Sequence, residues 1–317
     1  MNKPVVTILI PTHNRAVLLR KTLDSLVAQT YSEWQAIIVD DLSKDRTAEV
    51  VEGYAQRDKR ILYFKKPEAY RSGPSGTRNY CLDIAKERGA QFIQFFDDDD
   101  IMHPQKLELQ IVPLQKDRTL GFSLCKYKRF VPGENKRNSE FTSEINIESE
   151  ELAEDFLSGK IRLNSAGPLF RAHLLEDERF DEELSYGEER EFFLRIFFKY
   201  RPKYVAINRV LFFYRYHSSS LTLEKLSSQE KMAANLALVE KLWKYLHKNH
   251  LLSSKTVAFF LRKFLLENHN KENVQKVYDF TKEGNRLSNL DNLKFQFLIK
   301  CHAVYIKIFY KFLLLKL

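Results

Sequence analysis

The sequence has few cysteines and nothing that would pair them. Cys81, Cys125 and Cys301 are the only three in 317 residues. Their wide spacing supports neither a disulfide framework nor a cysteine metal site. The apolar run between Pro4 and Pro11 is too short for a signal-peptide core, and no small-residue cleavage site follows it. We therefore expect a reduced protein of the cytoplasm.

Several signature motifs are also missing. The sequence contains no Gly-Lys-Ser/Thr phosphate loop and no Gly-x-Gly-x-x-Gly dinucleotide loop. It also lacks the Asp-x-Asp-x-Thr motif that a nucleophile of the haloacid-dehalogenase type would need after the first strand. With 44% hydrophobic and 29% charged residues, the composition is that of a globular protein and excludes a disordered tail.

The net charge of +9 is unevenly distributed along the chain. Residues 221–317 carry 17 basic and 8 acidic side chains, whereas residues 1–220 are neutral overall. We predict a domain boundary near residue 220. A nucleic-acid partner is disfavoured, because the site-like residues lie in the neutral part and no nucleic-acid motif occurs.

Strand and helix patterns alternate over the first hundred residues. Residues 5–10 form an apolar run typical of a strand buried on both faces, and residues 16–28 carry one apolar helical face. The next predicted elements are strands over 35–39, 60–64 and 91–96 and helices over 47–57 and 77–88. This alternation predicts an α/β fold with a parallel sheet and right-handed crossovers.

Beyond residue 100 the pattern is less regular. We predict a helix over 105–112 that Pro113 ends, and a surface loop or lid over 132–148. The other predicted elements are strands over 121–131, 204–207 and 211–216, a helix over 188–200, and helices from 225 to the end.

Polar residues follow three of the predicted strands, at the edge where open parallel sheets bind ligands. These segments are Pro11-Thr12-His13-Asn14-Arg15, Asp40-Asp41-Leu42-Ser43 and Asp97-Asp98-Asp99-Asp100. Four adjacent carboxylates repel one another unless a cation lies among them, and Mg²⁺ prefers such oxygen ligands. The last segment therefore predicts a cation site, with a solvated acidic turn or a helix cap as the alternative.

A glycine-containing segment, residues 71–79, opens the helix before the acidic run. Glycines allow close backbone approach, a helix N-terminus favours anions, and two arginines add positive charge. The alternative is that Arg78 is an ordinary surface residue. For Asp40 and Asp41 the alternative is capping of the following helix, a role that Asp45 could equally fill.

Together these motifs resemble family 2 glycosyltransferases. The matching series is Ile-Pro-Thr-His-Asn-Arg, Val-Asp-Asp-Leu-Ser-Lys-Asp, Ser-Gly-Pro-Ser-Gly-Thr-Arg-Asn and Phe-Phe-Asp-Asp-Asp-Asp-Ile-Met-His-Pro, and further matches follow at 165–171, 180–195 and 214–217. The resemblance implies a GT-A fold with a Rossmann-like, mostly parallel sheet and a C-terminal helical extension over 221–317. It also implies a catalytic domain over 1–220, with a nucleotide-binding half over 1–110 and an acceptor half over 111–220. It implies an inverting hexosyl- or N-acetylhexosaminyltransferase that uses a nucleotide-sugar, UDP-linked in our reading, and a glycan or lipid-linked acceptor.

The resemblance also implies roles for individual residues. The nucleotide-sugar ligands would be Pro11, Thr12, Asn14, Asp40, Asp41, Arg71, Arg78, Asp97 and Asp98. Mn²⁺ or Mg²⁺ would bind Asp99, with Asp97 and His217 as further ligands, although His217 could equally be structural. The base would be Glu189, or else Glu188. The family commonly has Glu-Asp here, and an acidic pair could instead merely complement the helix dipole.

Other functions are less well supported by the residues. The Gln-x-x-Arg-Trp motif and membrane spans of processive synthases are absent, which favours addition of single sugars. A sugar nucleotidyltransferase would need a glycine-rich basic loop where this chain has Pro-Thr-His-Asn-Arg. A non-catalytic module that binds nucleotide-sugars is the remaining alternative.

The segment 291–317 combines a helical apolar pattern with lysines. Lys300, Lys307 and Lys311 fall within about 40° of one another on a helix that turns about 100° per residue. A basic stripe on an apolar helix is typical of helices that lie in an anionic membrane interface, here the inner face of the cytoplasmic membrane. Docking against residues 226–268 or a homodimer interface are equal alternatives.

Overall fold

The structure is a computed structural model. It describes residues 3–131, 146–216 and 228–253, together with residues 255–257, 259, 260 and 263. Most of the predicted loop over 132–148 lies outside the described residues, as do His217 and the segment 291–317.

One eight-stranded sheet forms the first part of the chain, in the order β3-β2-β1-β4-β7-β6-β8-β5. Its strands are β1 (Val6–Thr12), β2 (Trp34–Asp40), β3 (Ile61–Lys65), β4 (Phe92–Phe95), β5 (Ile101–Met102), β6 (Leu120–Phe130), β7 (Pro168–Arg171) and β8 (Lys203–Arg215). Strands β1 to β4 are parallel, as are β6 and β8, whereas β7 and β5 run antiparallel to their neighbours. The predicted α/β fold with a mostly parallel sheet is confirmed.

Six helices accompany the sheet within the described part of this unit. They are α1 (Ala16–Val27), α2 (Thr47–Arg57), α3 (Pro74–Glu87), α4 (Lys106–Lys116), α5 (Leu152–Ser158) and α6 (Glu188–Tyr200). Sequence periodicity predicted α1, α2 and α6 closely, because each has a buried apolar face at helical spacing. Helix α5 and the short strands β5 and β7 were not predicted.

Two predicted boundaries beyond residue 100 are wrong. Helix α4 continues through Pro113 to Lys116, because Ile111 and Leu114 are buried on its core side and their burial outweighs one missing backbone hydrogen bond. The strands predicted over 204–207 and 211–216 form one strand, β8. Its pairing with β6 shifts register around Lys126, so an irregularity takes up the polar residues between the two apolar runs.

The chain divides into two compact units, Met1–Ser227 and Ser228–Leu317. The described part of the second unit is mainly helix α7 (Ser228–Lys248). Leu242 and Leu246 of α7 are buried, and its Trp243 meets Phe260 edge to face at 5.2 Å. Among the residues that the structure describes, no helix has the length and apolar character needed to cross a membrane.

Phenylalanine packing fixes helix α6 against the sheet. Phe95 of β4 meets Phe192 edge to face at 6.0 Å, and Phe180 stacks on Phe192 at 3.9 Å. Phe193 stacks on Phe170 of β7 at 5.6 Å. Each buried phenylalanine contributes about 1.5–3 kcal/mol, and ring geometry restricts how the helix can rotate. The packing therefore decides where the first turn of α6 lies.

The sheet reverses its winding at β1. The chain builds β1, β2 and β3 outward in one direction and then places β4 on the other side of β1. Thr12 pairs with Asp40, and Leu9 pairs with Phe95, so the exits of β2 and β4 flank the end of β1. Such a switch point leaves a crevice beyond the carboxyl ends of the strands.

Candidate active site

The turn after β4 alternates accessible and buried carboxylates. Asp98 and Asp100 are buried, whereas Asp97 and Asp99 are partly exposed. Thr12, at the end of β1, donates a 2.6 Å hydrogen bond from Oγ1 to Oδ2 of Asp98. Asp97 and Asp99 therefore form the accessible pair of this turn.

Neighbouring elements hold the backbone of the acidic turn. The Thr22 hydroxyl of α1 lies 2.9 Å from the Asp98 carbonyl and 2.8 Å from the Asp100 carbonyl. At the end of β8, Arg215 donates from its backbone N–H to Asp100 Oδ1 at 2.8 Å and from Nε to the Asp99 carbonyl at 2.6 Å. The alternative of a solvated acidic turn is wrong, because two of its four carboxylates are buried.

The two buried carboxylates of this turn, Asp98 and Asp100, have raised pKa values. Burial raises the pKa of Asp98 to about 8, with a further contribution from the charge of Asp99. Burial and the charges of Asp97 and Asp99 raise the pKa of Asp100 well above its usual range. The Oδ2 atom of Asp100 is buried without a hydrogen-bond partner. The turn would thus gain stability from a bound cation.

These carboxylates fit a divalent cation that takes its remaining ligands from a bound substrate. No cluster of three or more His, Cys, Asp or Glu side chains that could hold a metal occurs within the described residues. Mg²⁺, however, is typically held by one or two carboxylates and substrate phosphates. Asp97 and Asp99 can supply that donor set, and the unpartnered Asp100 oxygen is consistent with it. His217, the third predicted ligand, is outside the described residues.

Arg78 lies between the two predicted groups of acidic residues. Its guanidinium is buried and is 2.9 Å from Asp97, 2.6 Å from Glu189 and 3.4 Å from Glu188. It also lies 5.5 Å from the centroid of the Phe180 ring. These carboxylates raise the pKa of Arg78, so the cation is permanent. The alternative of an ordinary surface arginine is wrong.

Glu189 combines access with a shifted pKa. Its side chain is 27% exposed at the start of α6. Burial raises the pKa of Glu189 to about 7, and Asp97 and Glu188 add to this effect while Arg78 opposes it. A carboxylate that titrates near neutral pH and can be reached by a substrate is suited to act as a general base.

Ser165 joins the same cluster and was assigned no role from the sequence. It is buried in the turn before β7, and its hydroxyl lies 3.5 Å from Asp97 Oδ2. Its position at the start of Ser-Ala-Gly-Pro-Leu-Phe-Arg, one of the matching segments, is the signal that could have identified it.

Asp40, the last residue of β2, and Asp41, which follows it, are buried and accept hydrogen bonds within the protein. Asp40 accepts a 2.7 Å hydrogen bond from the Tyr63 hydroxyl and a 2.9 Å bond from the backbone N–H of Ser43. Neither aspartate caps α2, since Asp45 accepts the hydrogen bond from the backbone N–H of Thr47. Their contact with a nucleotide stays a prediction.

Asp41 ties the exit of β2 to the segment before α3. Its carboxylate pairs with Lys66 at 2.9 Å and accepts a 2.7 Å hydrogen bond from the backbone N–H of Gly73, which has a φ of 111°. Lys66 also donates to the Arg71 carbonyl at 2.8 Å. We did not predict Lys66, although it follows β3 just as the acidic residues follow β2 and β4.

Hydrogen bonds to the segment after β2 hold the loop after β1. Asn14 has a positive φ of 51°, donates from its backbone N–H to Ser43 at 2.8 Å and accepts from the Lys44 N–H at 2.7 Å. Pro11 pairs in register with Val39 inside the sheet. Arg71 is exposed. The nucleotide contacts assigned to these residues stay predictions.

A family model and a curated relative match this chain. Residues 7–175 match the family model "Glycosyl transferase family 2". The chain is 31% identical over 222 residues to the GalNAc(5)-diNAcBac-PP-undecaprenol beta-1,3-glucosyltransferase of Campylobacter jejuni, an alignment that covers 69% of this chain and 68% of that protein.

Two solved structures share the fold. The S. aureus TarS fragment 1–349, in complex with UDP-GlcNAc, has a TM-score of 0.56 and 18% identity, over 96% of this chain and 77% of that one. The mannosyltransferase PcManGT of Pyrobaculum calidifontis, in complex with GDP-Man and Mn²⁺, has a TM-score of 0.52 and 15% identity, over 98% and 83%. With the family model matching more than half of its length, the chain belongs to glycosyl transferase family 2.

Proposed function

We propose that the protein transfers a hexose or N-acetylhexosamine from a UDP-sugar to a hydroxyl of a glycan or lipid-linked acceptor, with inversion at the anomeric carbon. The observation that carries this proposal is the Arg78 cluster. One buried guanidinium joins Asp97, beside the crevice of the sheet, to Glu189 at the start of α6. A donor in the crevice would therefore have a candidate base next to it.

The chemistry follows from one base. Glu189, as the carboxylate, takes the proton of the acceptor hydroxyl. The hydroxyl oxygen forms a bond to the anomeric carbon while the bond from that carbon to the phosphate oxygen breaks. The electron pair leaves with the nucleoside diphosphate, so a second catalytic acid is not needed, unlike in glycoside hydrolysis. Arg78, which also contacts Asp97 and Glu188, keeps the Glu189 carboxylate oriented.

We assign the divalent cation, Mn²⁺ or Mg²⁺, to Asp99 with Asp97 as a second ligand. There it would neutralise the charge that grows on the leaving diphosphate. Asp99 is the preferred ligand, because the family resemblance assigns the metal to it and its side chain is partly exposed. His217 stays a prediction as a further ligand or a contact of the diphosphate.

The substrate classes are supported by what related proteins bind or act on. S. aureus TarS has been crystallised with UDP-GlcNAc, and PcManGT with GDP-Man and Mn²⁺. The Campylobacter jejuni relative is named for a lipid-linked acceptor, GalNAc(5)-diNAcBac-PP-undecaprenol. We extend these classes to the present chain as a UDP-sugar donor and a lipid-linked or glycan acceptor at the cytoplasmic side of a membrane.

A hydrolysis panel tests the donor and the metal together. The full chain is incubated with UDP- and GDP-linked hexoses and N-acetylhexosamines, with Mn²⁺, with Mg²⁺ or with EDTA, and the free nucleotide is measured. We expect slow release from a UDP-sugar that requires the metal and is lost in Asp99→Asn. Release that EDTA leaves unchanged, or full activity of a folded Asp99→Asn variant, would refute the metal assignment. A protein that cleaves none of the donors would be a non-catalytic module.

A further inference from the structure

Lys106 is a buried cation that the proposed chemistry does not use. It lies in the first turn of α4, and its side chain is fully buried although no carboxylate pairs with it in the described structure. Burial lowers the pKa of Lys106 to about 8. Burying an ammonium group among neutral partners costs free energy, so the interactions that the ammonium makes must offset this cost.

Two neutral oxygens accept hydrogen bonds from this ammonium. Nζ donates to Gln94 Oε1 at 2.7 Å and to Gln110 Oε1. An ammonium can only donate hydrogen bonds. Both glutamine amides therefore point their oxygens toward Nζ, which leaves their NH₂ groups to donate elsewhere.

The NH₂ groups of the two glutamines contact one turn. Gln94 Nε2 donates to the Ala166 carbonyl at 3.0 Å. Gln110 Nε2 donates to the Gly167 carbonyl at 2.9 Å, and the Cys125 thiol lies 3.4 Å from the same oxygen. The ammonium is thus linked through two amides to two consecutive carbonyls.

The anchored turn carries Ser165 into the candidate active site. Ser165 directly precedes the two anchored residues, and its hydroxyl lies 3.5 Å from Asp97 Oδ2. Gln94 also lies on β4, three residues before Asp97, and its Nε2 donates to the Phe95 carbonyl at 2.8 Å. The same cluster is therefore attached to both sides of the site.

We propose that Lys106 is a positioning residue, which sets the place of Ser165 beside Asp97 by fixing the amides of Gln94 and Gln110 against the turn 165–167. The kinetic part of this inference rests on the proposed sugar transfer, whereas the structural part does not.

Crystal structures of the full chain and its Lys106→Met variant test the structural part. Met keeps the length and apolar stem of lysine but cannot donate. We expect the turn 165–167 to move, with the distance from Ser165 Oγ to Asp97 Oδ2 longer by about 1 Å or more, because the amides lose the donor that orients them. An unmoved turn would overturn the inference even if the protein transferred no sugar. If circular dichroism shows that Lys106→Met does not fold, Gln110→Met removes two of the same links and is judged by the same distance.

A double-mutant cycle tests the kinetic part. We expect Ser165→Ala and Lys106→Met each to lower kcat by about tenfold and the double variant to fall no more than about twofold below Ser165→Ala, because both changes act on one contact. A loss of about 100-fold in the double variant would show independent effects and contradict positioning through Ser165. The matched control is Lys199→Met, which removes a 2.7 Å ion pair between Lys199, in the last turn of α6, and Glu178. This variant should keep kcat.

Discussion

At the residue scale, the site depends on how one guanidinium is shared. Arg78 lies within 3.4 Å of Asp97, Glu188 and Glu189, so its single positive charge faces three negative ones. Burial, with the charges of Asp97 and Glu188 adding to it, keeps the pKa of Glu189 raised despite the adjacent arginine. Glu189 forms the shorter contact with Arg78, 2.6 Å against 3.4 Å for Glu188.

Replacing the candidate base should abolish turnover without loss of donor binding. We expect Glu189→Gln to lower kcat by about 10²–10⁴, because the amide cannot accept the acceptor's proton. The Kd for the nucleotide-sugar should stay within about threefold by calorimetry, since the amide keeps the shape of the carboxylate. Glu188→Gln is the matched control and should cost less than about tenfold in kcat. A larger loss in Glu188→Gln than in Glu189→Gln would make Glu188 the base.

The pH profile should carry the signature of the same carboxylate. Burial raises the pKa of Glu189 to about 7, and only its deprotonated form can take a proton. We therefore expect kcat/KM to be low at pH 6 and to rise as the pH passes through about 7, the opposite of what a catalytic acid would give. The measurement is the transfer rate between pH 5.5 and 9 at saturating metal. A flat profile from pH 6 to 8 would contradict this assignment.

At the element scale, helices α3 and α6 bring the two ends of the cluster together. Helix α3 carries Arg78, and Glu189 lies in the first turn of α6. The start of α3 is a close approach of backbone to backbone, since a Cβ on Gly76 would lie 2.0 Å from the Arg71 carbonyl. That carbonyl also accepts the hydrogen bond from Lys66 that links α3 to Asp41.

A side chain at Gly76 should therefore destabilise the protein and weaken nucleotide binding together. We expect Gly76→Ala to lower the free energy of unfolding by about 1–3 kcal/mol, because backbone must move and the Lys66 contact is strained. Urea unfolding measures this change. Gly53→Ala in α2 is the matched control, since its Cβ has a nearest neighbour at 3.9 Å. The control should be neutral or stabilising by about 0.5–1 kcal/mol. Equal stability of the two variants would refute the close packing.

At the scale of the whole molecule, charge and chemistry lie in different parts of the chain. The acidic cluster belongs to the unit Met1–Ser227, whereas residues 221–317 carry all of the net positive charge. A neutral catalytic unit suits a cation and a nucleotide-sugar. The basic part suits an anionic surface that could present a lipid-linked acceptor.

Removal of residues 291–317 should release the protein from anionic membranes. We expect the full chain to sediment with vesicles that contain anionic lipid and the truncated chain to bind them at least about tenfold more weakly, with the difference shrinking at high salt. Neutral vesicles are the control and should bind neither protein strongly. Unchanged binding of the truncated chain to anionic vesicles would favour docking of this segment on the protein itself or on a second copy.

The sequence by itself determined the α/β fold, most of the helices and the strand ends that carry polar residues. These features depend on local periodicity, which is written in consecutive residues such as those of α2 and α6. The acidic turn was also readable, because four aspartates after an apolar strand have few structural explanations. Where the prediction failed, as at Pro113, burial of neighbouring side chains outweighed a local rule.

Only the tertiary structure decided which of these residues meet. Arg78 and Glu189 are 111 residues apart in the chain, and no local pattern relates them. Their contact exists because phenylalanines lock α6 onto β4 and β7 and so fix the position of its first turn. The same holds for Lys106 and the turn 165–167, which are linked through the buried amides of Gln94 on β4 and Gln110 on α4. Long-range packing has no sequence period, so it could only be found in the folded chain.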